Sequence, residues 1–312
     1  MMDQNKVLCI VGPTASGKSA LAVRLAKRLD GEVISADAVA VYRRLDIGSA
    51  KPTESERDGI PHHLIDCVDL ENNSFSVSEF REMARNSIDD ILDKGKYPIV
   101  VGGSGLYVDA VFSDMRFSAP ADAEVRAKID TDYDRDKTGV FDALKHVDPA
   151  TASRLHPNDR KRVVRALEVF YVTGKAYSLL NEPFESAQES DGTYHVVRVG
   201  LSLSRDELYR RIDRRVERMV HAGLIEEAFA LFRDGFTPDR YKAMQSIGYA
   251  QLYPVYTGEI TLQDAVEQIK RDTRRFAKRQ ITWFKRNRST VWFDMMDASE
   301  NKLIDGVLEL LK

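Results

Sequence analysis

Eight residues near the start of the chain, Gly12-Pro13-Thr14-Ala15-Ser16-Gly17-Lys18-Ser19, fit G-x-x-x-x-G-K-[ST] at every constrained position. The flanks fit as well. Lys6 to Val11 is a short apolar run that ends in Gly-Pro, and it reads as a buried parallel strand. Ser19 to Leu29 places Leu21, Ala22, Leu25, Ala26 and Leu29 on one face of a helix, which Gly31 stops. Strand, glycine loop and helix together form a phosphate cradle. The glycines let backbone N–H groups curl around phosphate oxygens, and the helix N-terminus adds partial positive charge. Lys18 supplies a mobile cation, and the Ser19 hydroxyl can ligate Mg²⁺. A di- or triphosphate ligand follows, and so does an α/β fold.

The alternation continues. Glu32 to Ala36 reads as a strand with Asp37 at its carboxyl end. Ser78 to Leu92 reads as an amphipathic helix, and Pro98 to Val101 as a strand closing on Gly102-Gly103-Ser104-Gly105. This is the pattern of a P-loop NTPase-like parallel sheet flanked by helices. From about Arg116 to Ser190 the strand signal disappears. Ala123 to Asp134, Val140 to Val147, Ala150 to Leu155 and Asp159 to Tyr171 read as short helices punctuated by Pro149, Pro157, Gly174 and Pro183. A strand returns at His195 to Leu203, with a further candidate at Val291 to Asp294. The economical organisation is a core of residues 1–115 and 192–312 carrying an inserted all-helical module, 116–191.

Composition closes off other classes. The chain has 312 residues, 43% hydrophobic and 30% charged, enough for a sizeable core and too apolar for a disordered chain. No apolar run is long enough to span a bilayer, and the opening MMDQNK has no signal-like apolar stretch. A cytoplasmic monomer without membrane contact is expected. Cys9 and Cys67 are too few for a disulfide framework and read as small core filler. The formal net charge of −3 excludes a uniformly basic nucleic-acid coat but allows a local patch. One exists: Lys270, Arg271, Arg274, Arg275, Lys278, Arg279, Lys285, Arg286 and Arg288, interleaved by Trp283 and Phe284, with Asp272 the sole acid among them. None of the six histidines forms a metal-ligand pattern, and His62-His63 after Pro61 reads as a packing or turn feature.

The loop alone does not choose between a nucleotide hydrolase, a small-molecule kinase and other diphosphate chemistry. The nearest Walker-B candidate, His63-Leu64-Ile65-Asp66, is weak, and no N-K-x-D is present. Asp37 sits where α/β sheets place catalytic groups, although a turn aspartate would look the same.

Further blocks carry a resemblance. They are Ile34-Ser35-Ala36-Asp37, Val41-Tyr42-Arg43, Asp46-Ile47-Gly48-Ser49-Ala50-Lys51-Pro52 and Gly102-Gly103-Ser104-Gly105-Leu106-Tyr107. His156-Pro157-Asn158-Asp159 with Arg162, Arg165 and Glu168 follows, then Ala243 to Tyr249, and Thr273 to Gln280 with Thr282-Trp283-Phe284. In this order, from residue 12 to residue 284, the chain resembles the bacterial tRNA dimethylallyltransferase (tRNA isopentenyltransferase, IPP transferase) family.

The resemblance implies transfer of a dimethylallyl group from dimethylallyl diphosphate to N6 of the adenosine just 3′ of the anticodon, in tRNAs that read codons starting with U. The phosphate loop would hold the prenyl diphosphate rather than ATP, with Mg²⁺ carried mainly by that diphosphate and touched by Ser19. Asp37 would be the general base, and Lys18 and Arg215, the latter favoured over Arg211, would assist diphosphate departure. Contacts to the tRNA anticodon stem-loop would come from Asp37, Ala38, Val39, Ala40, Ser104, Arg126, Lys161, Arg162, Arg165, Arg275, Lys278 and Arg279. The chain departs from the family in one place. After the aspartate the family commonly has Ser and, two positions on, often Gln, where this chain has Ala38 and Ala40. Competing readings are an adenylate isopentenyltransferase, a small-molecule P-loop kinase and a catalytically silent tRNA-binding protein.

Overall fold

The computed structural model describes residues 5–113, 122–180, 192–296 and 300–312. The expected ends of the inserted module, residues 116 and 191, and the punctuation at Pro183 lie outside them. The chain divides into two compact units, Met1–Phe112 with Gly192–Lys312, and Ser113–Asp191.

The first unit begins with β1 (Lys6–Val11), α1 (Lys18–Leu29), β2 (Gly31–Ser35), the single-turn α2 (Glu54–Arg57), β3 (His62–His63), α3 (Val77–Asp93), β4 (Tyr97–Gly102) and α4 (Gly105–Phe112). The second unit is helical in its described residues: α5 (Ala123–Arg135), α6 (Lys137–Val147), α7 (Pro149–Ala152), α8 (Arg160–Thr173) and α9 (Tyr177–Leu180). It has its own core, where Ile129, Tyr133, Phe141, Leu144, Val163, Val164 and Leu167 pack together. The first unit then resumes with β5 (His195–Ser202), α10 (Arg205–His221), α11 (Leu224–Arg233), a 3₁₀ turn at Lys242–Gln245, α12 (Tyr249–Tyr256), α13 (Leu262–Phe284), β6 (Val291–Asp294) and α14 (Glu300–Leu310).

Six strands form one sheet in the order β3-β2-β4-β1-β5-β6, and every pairing is parallel. Such a sheet needs cover on both faces, which explains why β1 and β4 are continuous apolar runs rather than alternating ones. Leu8 and Ile10 pack with Leu21, Leu25 and Val307, from α1 and α14, on one side. Val7, Cys9 and Val11 belong to the larger core with Phe80, Ile88, Val108 and Phe112 from α3 and α4. Ser76 caps α3 through a reciprocal pair with Glu79, a local signal that fixes where that helix starts.

The sheet order has one consequence for function. β2, β4 and β1 are adjacent, so three carboxyl ends lie side by side: Asp37 after β2, Ser104 after β4 and the phosphate loop after β1. Strand spacing of about 4.8 Å puts the outer two roughly 10 Å apart, a span that a small diphosphate ester can bridge. No helix among the described residues is long and apolar enough to cross a membrane.

Candidate active site

The phosphate loop departs from regular backbone where its glycines require it. Gly12 has φ 145° and Gly17 φ 94°. A Cβ on Gly12 would lie 2.8 Å from the Leu201 carbonyl oxygen of β5, so glycine is required twice over. Two loop amides are spent inside the protein: Ser16 N donates to the Pro13 carbonyl at 3.3 Å, and Thr14 N to Gln280 Oε1 at 2.8 Å. The amides of Ala15, Gly17, Lys18 and Ser19 make no hydrogen bond among the described residues. Four open donors at the start of α1 are what an anion needs.

Lys18 folds back so that Nζ donates to the Pro13 carbonyl at 2.6 Å. Its pKa is pushed down to about 7, first by burial and then by the Arg215 guanidinium, with Asp37 opposing both. Burial likewise lowers Arg215, against the pull of Asp37. Two crowded cations, only partly balanced by Asp37, favour an anionic ligand between them. Ser19 lines the same cavity. Among the described residues no group of three or more His, Cys, Asp or Glu could hold a metal by itself. A lone hydroxyl beside a phosphate cradle fits a Mg²⁺ that arrives on the diphosphate, with remaining ligands from phosphate oxygens and water.

Asp37 is held by its own turn. Oδ1 accepts from Val39 N at 2.8 Å and Ala40 N at 3.1 Å, while Oδ2 has no hydrogen-bond partner among the described residues. Ser104 Oγ accepts from Ala38 N at 2.9 Å, and Ser104 N donates to the Ala36 carbonyl at 3.3 Å. The carboxyl ends of β2 and β4 are thus stitched together, and Gly102 leaves no room there, because a Cβ would overlap the Ala36 backbone. The departure at Ala38 and Ala40 therefore leaves the turn intact, since both residues take part in it through their backbone N–H groups.

One cavity of about 400 Å³ joins these parts. Its lining includes Thr14, Lys18, Ser19, the run Asp37 to Ala40, Ser104 and Arg215, with Val216, Met219, Ile247, Ile269 and Phe276 as apolar wall. Its rim loop, Gly48 to Pro52, is clamped at both ends. Glu227 of α11 accepts from the amides of Asp46, Ile47 and Gly48 at 3.1, 2.8 and 3.0 Å, and from the Tyr249 hydroxyl at 2.6 Å. Buried Lys51 donates to the Tyr42 carbonyl and to the carboxylates of Asp46 and Asp66. A second cavity also touches the loop, at Ala15 and Gly17, and is lined by Arg211, Arg214, Arg215 and Arg218 together with Glu56 and Glu217. Arg215 lines both cavities, whereas Arg211 is paired with Glu207 at 2.8 Å.

Helix α13 supplies the far wall with residues at helical spacing: Ile269, Thr273, Phe276 and Gln280. Buried Gln280 gives its oxygen to Thr14 N and its Nε2 to the Gly103 carbonyl at 2.9 Å, tying the phosphate loop to the loop after β4. The sequence blocks contained Gln280 and Lys51 but not Glu227, and nothing local marked any of these roles.

The basic stripe is less free than its sequence suggests. Arg274 pairs with Asp213 at 2.6 Å, Lys270 with Glu217 at 2.9 Å, and exposed Arg275 with Asp272 at 3.2 Å. Lys278 and Arg279 are exposed and have no ion pair among the described residues, and Arg279 also lies over the Phe276 ring. In the helical unit, Arg126 and Arg165 both pair with fully buried Glu168, at 2.8 and 2.9 Å. Arg162 reaches Asp159 at 3.1 Å, and Lys161 is exposed.

Comparison with known proteins places this constellation. A sequence profile of the IPP transferase family matches residues 40–287. The chain is 46% identical over 297 residues to the tRNA dimethylallyltransferase 2 of Geotalea uraniireducens, covering 95% of this chain and 94% of that one. It is 43% identical over 293 residues to the tRNA dimethylallyltransferase of Anoxybacillus flavithermus, covering 94% and 91%. The crystal structure of a tRNA isopentenylpyrophosphate transferase from Bacillus halodurans aligns with a TM-score of 0.72 at 41% identity, over 98% of this chain and 97% of that one. A eukaryotic dimethylallyltransferase acting on tRNA aligns with a TM-score of 0.78 at 31% identity, over 96% and 77%. These matches run nearly end to end and take in both the cavity and its walls, and so this chain belongs to the IPP transferase family.

Proposed function

We propose that this chain transfers the dimethylallyl group of dimethylallyl diphosphate to N6 of the adenosine 3′-adjacent to the anticodon, in tRNAs that read codons starting with U. The observation that carries the reading is a single cavity in which a phosphate cradle faces a carboxylate with one oxygen held and the other open. An open carboxylate oxygen can take a proton from an amine as it can from a hydroxyl, and the likeness to tRNA dimethylallyltransferases favours the amine.

An exocyclic adenine amine is a weak nucleophile because its lone pair is delocalised into the ring. Asp37 Oδ2 accepts one of its N–H hydrogens, which raises electron density on nitrogen and fixes its approach. As the bond from nitrogen to the allylic carbon forms, the bond from that carbon to the diphosphate oxygen breaks. The amine proton passes to Asp37, and the electron pair leaves with the diphosphate. Lys18, Arg215 and the open amides from Ala15 to Ser19 face the oxygens on which that charge grows. Mg²⁺, carried on the diphosphate and touched by Ser19, would add Lewis-acid stabilisation of the leaving group. Exposed Lys278 and Arg279, with Arg275, Lys161 and Arg162, are among the basic side chains open to an RNA backbone. The enzyme would act in the cytoplasm, where its acceptor is.

The test is labelled dimethylallyl diphosphate offered with tRNA, with AMP or with neither. Label in tRNA is expected. Label in AMP would replace the reading with an adenylate prenyltransferase, and no transfer with ATP consumed would replace it with a kinase.

A further inference from the structure

Two ion pairs set the register of the helices that flank the cavity. Asp213 and Glu217 of α10 are one turn apart, as are Arg274 and Lys270 of α13, and the pairs Asp213–Arg274 and Glu217–Lys270 run in opposite senses along the two helices. The helices are therefore antiparallel, with levels that can be read off. The phosphate loop lies at the lowest level. Thr14 is bonded to Gln280, and Ala15 packs on the cluster of Leu208, Ile212 and Ala277. Arg215 stands higher, within one residue of the level of Thr273. Met219 is four residues beyond Arg215, about 6 Å along the axis, and within one residue of the level of Ile269.

The chemistry changes with height. The lowest level offers amides, Lys18 and Ser19, and the next offers Arg215. Above it the two helices present apolar side chains, Val216 and Met219 from α10 and Ile269 from α13, and Ile247 lines the same cavity. The Thr273 hydroxyl is spent on the Ile269 carbonyl at 2.7 Å, so it offers no donor to a ligand. An anionic head is held below and a short hydrocarbon tail is enclosed above. An isoprene unit adds four chain carbons, about 5 Å with single bonds of ~1.5 Å, and a helical turn is 5.4 Å. The scale therefore advances one turn per isoprene unit.

We propose that the level of Met219 and Ile269 is a length gauge that limits the prenyl donor to five carbons. The inference rests on the donor reading given above. A dimethylallyl tail fills the turn above Arg215, and a ten-carbon geranyl tail would have to occupy the space held by the Met219 side chain. Packed apolar walls discriminate by added methylenes through this kind of exclusion. Met219 is the side chain to change, because it is only half-buried, whereas Ile269 is 1% exposed and part of the core.

The experiment compares dimethylallyl and geranyl diphosphate as donors to the same tRNA, for wild type, Met219→Ala and Met219→Phe, with binding of inorganic diphosphate as the check on fold and head site. Met219→Ala is expected to raise the geranyl-to-dimethylallyl ratio of kcat/KM at least tenfold. Met219→Phe is expected to lower kcat/KM for dimethylallyl diphosphate at least tenfold, with diphosphate affinity within twofold of wild type in both variants. A ratio within threefold of wild type for Met219→Ala, or undiminished dimethylallyl transfer by Met219→Phe, overturns the gauge. A wild-type protein that transfers no dimethylallyl group to tRNA overturns instead the donor reading beneath it.

Discussion

Asp37 owes its usefulness to the two backbone amides that hold Oδ1, because they decide which oxygen is left for the substrate. That asymmetry sharpens what Asp37→Asn should do. The asparagine oxygen takes the place of Oδ1 and leaves the amide NH₂ facing the adenine amine, where it can neither accept a proton nor receive a hydrogen bond. Single-turnover transfer from pre-bound donor should fall by roughly 10²- to 10⁴-fold, with tRNA affinity largely kept. Transfer within a few-fold of wild type would remove Asp37 as the base. Lys18 yields a second expectation, in the pH dependence of donor binding. Its pKa in the free protein is pushed down to about 7, and a bound diphosphate raises it. Below pH 7 the lysine is already charged and adds no pH dependence of its own. Above pH 7 the free protein must take up a proton to bind, so affinity for dimethylallyl diphosphate falls with rising pH. Calorimetry at pH 8 in buffers of differing ionisation enthalpy should show that uptake, and Lys18→Ala should abolish both the uptake and most of the affinity. Both residues were legible in the sequence because their signals are local: a loop spacing and a strand end. Gln280 was legible only as part of a block, since its role depends on Thr14 and Gly103, which are 266 and 177 residues away. Glu227 was not singled out, because three backbone amides leave no trace in side-chain pattern.

At the scale of elements, α13 shows why a charge run reads differently in one dimension. Within its own sequence Asp272 is the sole acid of the stripe, yet Arg274 and Lys270 find their partners on α10, some sixty residues earlier. The helix therefore does two jobs: one flank is bolted to α10 and fixes the cavity wall, and another, with Arg271, Arg275 and Lys278, is exposed. The prediction follows that division. Lys278→Ala should weaken tRNA binding and shallow the log–log salt slope by about 0.7 to 0.9, leaving donor affinity without tRNA unchanged, and Arg279→Ala should shallow the slope likewise while also touching the donor cavity that Arg279 lines. Arg275→Ala should follow them, because an exposed pair between residues three apart holds it only weakly. Arg274→Ala should leave the slope as it is while weakening donor binding through the loosened wall. Equal slope changes for Arg274 and Arg279 would mean that the ladder does not organise the stripe. Strands β1, β4, β5 and β6 were readable as apolar or alternating runs, whereas β3 is two residues long and too short to show any period.

At the scale of the molecule, alternating strands and helices foretold a parallel sheet, but the order β3-β2-β4-β1-β5-β6 had to be seen. That order makes the site: had β4 not come between β2 and β1, Asp37 would not stand two strand spacings from the phosphate loop, nor Ser104 between them. The Ser113–Asp191 unit has its own core, and its buried Glu168 pairs with Arg126 and Arg165, so those two arginines help hold that unit's helices together whatever else they touch. What the whole assembly is for can be asked in one measurement. A tRNA that reads codons starting with U is incubated with the protein and labelled dimethylallyl diphosphate, then cut to fragments and to nucleosides. One N6-dimethylallyladenosine per tRNA is expected, in the anticodon-loop fragment at the position 3′ of the anticodon, and none when that adenosine is replaced by guanosine. Label elsewhere in the tRNA, or label that survives the replacement, would contradict it.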